Sequence, residues 1–502
     1  MSDTGNDDRR SFTSRTPANT NPDRVTYRRG FVTRHQVTGW RFVMRRIASG
    51  VALHDTRMLV DPLRTQSRSV LMGALIVVTG VLGCFVFSLI RPGGVPGNDA
   101  VLADRDTAAL YIRVNDELHP VLNLTSARLI TGRPDNPTQV KSSELDKFPR
   151  GALIGIPGAP ERMVQGGSPD GDWTVCEGAA DTAGVSVIAG TPVTDGERAT
   201  RLPAGDAVLV DSGAGTSLLW DGRRSPIDLA DRAVTSALGF GADNPPARPI
   251  APGLFNAIPE GAPLRAPAIP GAGGPPQYAL SVPAPVGSVV VAYGPDSTLL
   301  SYAVLSDGLQ PVSPVLASIL RNANSFGLQQ PPRLAADEIA RTPVSRVLDT
   351  AAYPATDLNL VDPKAAPVTC VRWTKPLGAQ TSSLSLLSGS KLPVGDDAHA
   401  VTLFGVGATR AYLTPGVGYL TQTVGQEAAA PRTGSLFWVS DTGVRFGIDG
   451  GTEKDGAAKA ITALGLTEPA TPAPWSVLSL LTAGPALSKS DALTAYTGTE
   501  NR

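Results

Sequence analysis

Residues able to do covalent or metal chemistry are few in this chain of 502 residues: three cysteines and four histidines. Three cysteines exclude a disulfide-dense scaffold and cannot complete a four-cysteine zinc site. Of the histidines, His119 and His399 fall in the long C-terminal region, and neither stands in a His-Glu-x-x-His or Gly-x-Ser-x-Gly setting. His119 reads as a surface turn residue. A phosphate-binding P-loop needs glycine-rich backbone amides followed by Gly-Lys. That dipeptide is absent; GAGTSLLWDG and GAGGPPQ are glycine-rich without the lysine and read as turns. The acidic residues single out no carboxylate pair. On residues alone, no catalytic, cofactor-binding or metal-ligating set emerges.

The elements around these residues are more informative. Fifty-three glycines and 44 prolines against 5% aromatics favour short strands, turns and linkers over long helices. Residues 70–90, VLMGALIVVTGVLGCFVFSLI, form a 21-residue run without a charge. As a helix it spans roughly 31 Å, the thickness of a bilayer core. The run starts too far from the N-terminus and is too long for a cleaved signal peptide. The net charge of −1 hides a split: residues 1–69 hold thirteen Arg, no Lys and six Asp/Glu. Positive flanks stay inside, so 1–69 is expected in the cytoplasm and the C-terminal region outside. Within the span Gly73, Gly80 and Cys84 share a face on which another helix can pack.

Residues 1–24 are polar and read as a disordered tail. Residues 25–69 alternate apolar and basic residues at helical spacing, with Pro62 expected to end or kink a helix before the membrane. One reading is a helix on anionic headgroups. The other is a docking surface for a membrane protein's cytoplasmic domain, using Trp40, Phe42, Arg45, Arg46, Arg57 and Arg64. A membrane-tethered arm argues against nucleic acid as partner.

The string TRHQVTGWRFVMRR, then DTRMLVDPLRTQSRS and one membrane span, resembles the EccB family, a core membrane component of mycobacterial type VII (ESX) secretion systems. The likeness extends over nearly the whole chain, and its wording is most similar to the paralogue of the fifth ESX system. The resemblance implies an inner-membrane location, the partners EccC (the motor ATPase), EccD and EccE, and association with the mycosin protease. It also brings a description as ATPase, the sole ground for ATP as a cofactor.

Four stretches in the C-terminal region share a turn between apolar runs: residues 112–121, 218–227, 303–312 and 437–448. The first and third share Leu-x-Pro-Val; the second and fourth are followed by similar helical strings. Duplication explains this pairing better than convergent turns. The expected fold class is α+β: one transmembrane helix, then four small α/β repeats around a central antiparallel β-domain with pseudo-twofold symmetry. The expected bounds are repeat 1 at 103–150, the first segment of the central β-domain at 151–215, repeat 2 at 216–270, and a Pro/Gly-rich linker at 271–289. Repeat 3 follows at 290–351, the second segment of the central β-domain at 352–435, repeat 4 at 436–490 and a tail at 491–502.

Asp116 lies 60 residues before Cys176 and Asp307 lies 63 before Cys370. Comparable places in two duplicated units, outside the membrane, point to a Cys176–Cys370 disulfide; the alternative is two buried thiols. The expected function is structural: a non-catalytic subunit whose exterior packs against other copies. An ATPase and an envelope-polymer-binding module are the alternatives. Solvent-exposed aromatics in matching repeat positions would favour the last.

Overall fold

The computed structural model describes residues 32–54, 62–90, 94–166, 168–178, 183–241, 246–405, 407–451 and 456–496. The tail 1–24, Arg57, the side chain of Arg64 and residues 497–502 lie outside the described residues. The chain divides into two units, residues 1–93 and 94–502.

Among its described residues the N-terminal unit holds two helices. Arg34–Leu53 opens with a capping box, in which the Thr33 hydroxyl accepts from the Gln36 amide and the Gln36 side chain accepts from the Thr33 amide. Pro62–Ile90 contains the apolar run and begins eight residues before it. Pro62, expected to end or kink a helix, instead starts one. At the first helical position its missing N–H has no intrahelical partner to lose, and its fixed φ suits the helix. Gln66–Phe87 within this helix is long and apolar enough to cross a membrane.

The C-terminal unit is built from four copies of one module around a central sheet. Module 1 is an antiparallel meander, Val101–Asp104, Leu110–Val114 and Glu117–Pro120, followed by helix Leu124–Thr131 and strand Thr138–Val140 parallel to the first strand. Module 2 repeats this with Asp206–Asp211, Thr216–Trp220, Arg223–Pro226, helix Arg232–Ala237 and Arg248–Pro249. Module 4 does so with Tyr419–Val424, Leu436–Val439, Val444–Ile448, helix Gly456–Leu464 and Thr471–Pro474. Module 3 has Val289–Tyr293, Leu299–Val304, Leu309–Val312 and helix Pro314–Ala323, but a single bridge, Val291 to Arg333, replaces the fourth strand. Asp206–Asp211 and Tyr419–Val424 fall within the stretches assigned to the central sheet on sequence. Each pairs with its module's hairpin instead, because alternation reveals a strand but not its neighbour.

The central sheet has seven strands. At its middle Gly171–Gly178 and Val368–Lys375 run antiparallel, flanked by Gly184–Ala189 and Ser383–Gly389 respectively. The halves then exchange strands. Thr200–Arg201 of the first half pairs with Ser383–Gly389 of the second, and Arg410–Tyr412 of the second pairs with Gly184–Ala189 of the first. The last pairing is parallel. Ala400–Thr402 adds the outermost strand beyond Arg410–Tyr412.

One face of this sheet, with Trp173, Val175, Val371 and Trp373, shares a core with Leu254 and Ile258 after module 2 and Val477 and Leu478 after module 4. The modules also pair away from the sheet. Leu129 and Ile130 of module 1 pack with Ile461 and Leu464 of module 4. Val234 and Ala237 of module 2 pack with Val315 and Ile319 of module 3.

Candidate assembly surfaces

Helical spacing divides the residues of Arg34–Leu53 between two faces. Trp40, Val43, Met44, Ile47 and Val51 recur at the intervals that align one stripe, while Phe42 falls opposite, between Arg45 and Arg46. Trp40 is 65% exposed and Phe42 55%. Of the expected docking residues, Trp40 therefore does not share a patch with Phe42, Arg45 and Arg46. Among the described residues of the unit nothing apolar covers the stripe, which a lone soluble helix would not retain.

In Pro62–Ile90, Gly73, Gly80 and Cys84 fall within a narrow sector of one face. A Cβ added at either glycine would meet nothing within 4 Å, so the face is open. The Cys84 thiol is exposed on it.

In the C-terminal unit Cys176 and Cys370 are bonded, with Cα atoms 4.0 Å apart on directly opposed positions of the two central strands. Both are fully buried, on the sheet face opposite Trp173 and Trp373. On the same face Arg372 donates two hydrogen bonds to the Asp172 carboxylate, at 2.9 and 2.7 Å. This bidentate pair lines a cavity of about 510 Å³ with Asp170, Thr191 and Thr414. Backbone and hydroxyl donors from Leu377 and Ser168 hold the Asp170 carboxyl below the usual carboxylate range. The Asp172–Arg372 pair is not legible in the sequence, because its members are 200 residues apart.

A second charged pair was equally hidden. Glu177, next to Cys176, accepts from the Ala251 amide at 2.8 Å, while Arg248 donates to the Ala366 and Pro367 carbonyls. Burial raises the Glu177 carboxyl above its ordinary value, opposed by the Ala251 amide and the Arg248 charge. Burial lowers Arg248, opposed by Glu177. These bonds tie the end of module 2 to one central strand at Glu177 and to the residues just before the other.

His119 is not a surface turn residue. It lies on strand Glu117–Pro120 with a side chain 18% exposed, its Nδ1 2.9 Å from the Ala152 carbonyl. His399 stays exposed in a loop. The glycine-rich strings are chain reversals: Ser212 donates to the Gly215 carbonyl between two strands, and the Gly274 amide closes a turn on Gly271. Trp220 and Trp438, the aromatics before two of the turns, are 6% and 1% exposed. Neither offers a face on which a sugar could stack.

A family model described as Type VII secretion system ESX-1, transport TM domain B, matches residues 29–500. A Mycolicibacterium smegmatis protein named ESX-3 secretion system ATPase EccB3 is 66% identical over 499 residues, 98% of this chain and 96% of that one. The Mycobacterium tuberculosis protein named ESX-5 secretion system ATPase EccB5 is 38% identical over 489 residues, 94% of each. Among solved structures, a chain of an intact ESX-5 inner membrane complex superposes with a TM-score of 0.72 at 37% identity, covering 95% of this chain and 98% of that one. An EccB3 dimer from the ESX-3 core complex gives 0.70 at 59% identity, over 79% and 100%. These identities overturn the expected likeness to the fifth system's paralogue. The basic string that carried it spans a few dozen residues, too few to rank paralogues, whereas identity over nearly the whole chain separates ESX-3 from ESX-5.

Proposed function

This chain belongs to the EccB family of type VII secretion systems, and from that premise we propose that it is a structural subunit of an ESX inner-membrane core complex. The observation that carries the reading is the match of fold over 95% of the chain to a chain of such a complex. The apolar stripe of Arg34–Leu53, uncovered among the described residues, and the open glycine face of Pro62–Ile90 supply surfaces for neighbours in and beside the membrane. By the positive-inside rule the basic foot faces the cytoplasm and residues 94–502 lie outside. The partners that follow from the family are EccC, EccD, EccE and the mycosin protease, with further copies of this chain alongside. Detergent extraction of the full chain, followed by native mass and identification of companion proteins, tests this. Companions at fixed ratios are expected; a chain recovered alone, while the other membrane components stay together, overturns it.

Relatives carry the name ATPase. In our reading this chain does not hydrolyse ATP, because no Gly-Lys stands where phosphates would be cradled. Purified full-length chain should release phosphate no faster than a mock preparation. Turnover that follows the protein through successive columns, and is lost on a point substitution, would reverse this.

A further inference from the structure

Each module carries a fifth segment that runs parallel to its third strand. In module 1 the contacts are Leu118 to Arg150 and Val121 to Ile154; in module 2, Arg224 to Glu260 and Ile227 to Leu264. In module 4 they are Val444 to Thr482 and Ile448 to Leu487. Module 3 makes the first contact, Leu309 to Val344. The second is replaced by the Gln310 side chain, which donates to the Leu348 carbonyl at 2.7 Å and accepts from its amide at 2.8 Å.

The outer side of this segment differs between modules 1 and 3. In module 1 Ala495–Tyr496 pairs antiparallel with Leu153–Ile154. In module 3 no strand among the described residues lies against residues 344–348. The Pro343 carbonyl accepts from the Leu309 amide, and the Ser345 amide donates to the Leu309 carbonyl. Since a strand's polar groups alternate sides, Val344 turns its N–H and C=O outward, and the same alternation carried one step past Ser345 would turn those of Arg346 outward, while the Val347 amide folds back to donate to the Ser345 hydroxyl at 3.4 Å. A proline on an edge ordinarily blunts it, but the N–H missing from Pro343 would face inward. Val344 is 70% exposed and Val347 57%, beside fully anchored Ser345 and Leu348. This is an open, apolar, hydrogen-bonding edge.

We propose that this edge pairs with the same edge of a second copy, antiparallel, about a twofold axis at Ser345. The proposal rests on the reading of the chain as an assembling subunit and assigns that assembly a surface. A twofold axis makes one edge its own complement. Module 1 supplies a precedent, because the corresponding place there already takes an antiparallel strand. A relative 59% identical was solved as a dimer. With the axis at Ser345, Val344 faces Arg346 of the second copy and exchanges both backbone hydrogen bonds with it. Any register that set Arg346 against Arg346 would oppose like charges.

The test is cross-linking in the detergent-extracted full chain. Cys84→Ala removes the free thiol, leaving Cys176 and Cys370 bonded to each other. Chains carrying Val344→Cys are then co-expressed with chains carrying Arg346→Cys. Oxidation should join the two kinds of chain into a dimer, several-fold more than either variant with itself. Leu299→Cys, in another strand of module 3, should join nothing. An extracted chain that assembles in multiple copies without the 344–346 link overturns the proposal while the assembly reading stands. A link to a different protein overturns it too. Recovery as a single copy overturns both. As a second variant, Val344→Pro removes one outward donor and should weaken copy–copy association at least tenfold, with the Gln310–Leu348 clamp left in place.

Discussion

Cys176 and Cys370 stand directly opposite one another on the two middle strands of the central sheet, one from each duplicated half. Their bond closes a separation of 194 residues at the line where the halves meet. Chain-entropy arithmetic puts such a closure at about 5 kcal/mol, an upper figure. Cys176→Ser with Cys370→Ser should therefore lower unfolding stability by several kcal/mol and markedly lower the Tm. Non-reducing peptide mapping checks the bond itself: a linked peptide pair is expected, and two alkylatable thiols in protein kept oxidised would contradict it.

The amide of Gln310 replaces a ladder contact with a two-point grip on Leu348. Gln310→Ala leaves both backbone groups of Leu348 without that partner and should cost about 1–3 kcal/mol. Hydrogen exchange should quicken around residues 344–348 before it does in modules 1 and 4. Uniform quickening would show that the clamp is not local.

Ile461 is buried against the helix of module 1. Ile461→Ala should destabilise the chain by about 2–5 kcal/mol. In a double-mutant cycle with Leu129→Ala the two costs should fall short of adding, since the residues share one core. Strict additivity would mean that modules 1 and 4 stand independently.

Glu177 gives the fold a pH dependence of definite sign. Burial lifts its folded pKa above the unfolded one, so the folded state holds the proton more tightly. Stability is then greatest below the unfolded value, about 4.3, and falls as pH rises through the interval up to the folded pKa. Glu177→Gln removes this slope. The Tm of the variant minus that of the parent should climb as pH is raised from about 4 upward, and a flat difference would refute the assignment.

Arg45 and Arg46 flank Phe42 on the face of Arg34–Leu53 opposite the apolar stripe. Replacing both by Glu should weaken assembly with the other membrane components while the C-terminal unit stays folded. Co-purification at normal yield across a range of salt would remove the basic face from the docking surface.

The sequence by itself determined whatever is set within a few neighbouring residues. The span is legible because an uncharged, mostly apolar run of 21 residues can be accommodated in few other ways. The repeat turns are legible because Asp-Gly between apolar runs has a local reason, the positive φ supplied by Gly222 in module 2. The helix face of Gly73, Gly80 and Cys84 follows from spacing alone. Only the tertiary structure decided which strand neighbours which. Asp206–Asp211 alternates like a central strand yet pairs with the hairpin of module 2 and with Asn359–Leu360, not with the central sheet. The halves exchange Thr200–Arg201 and Arg410–Tyr412, and module 1 packs with module 4 rather than with its sequence neighbour. The pairs Asp172–Arg372 and Glu177–Arg248 were invisible for the same reason. A strand's pattern states which faces are apolar, but its edges are the same backbone groups in every strand, and long-range packing chooses among them.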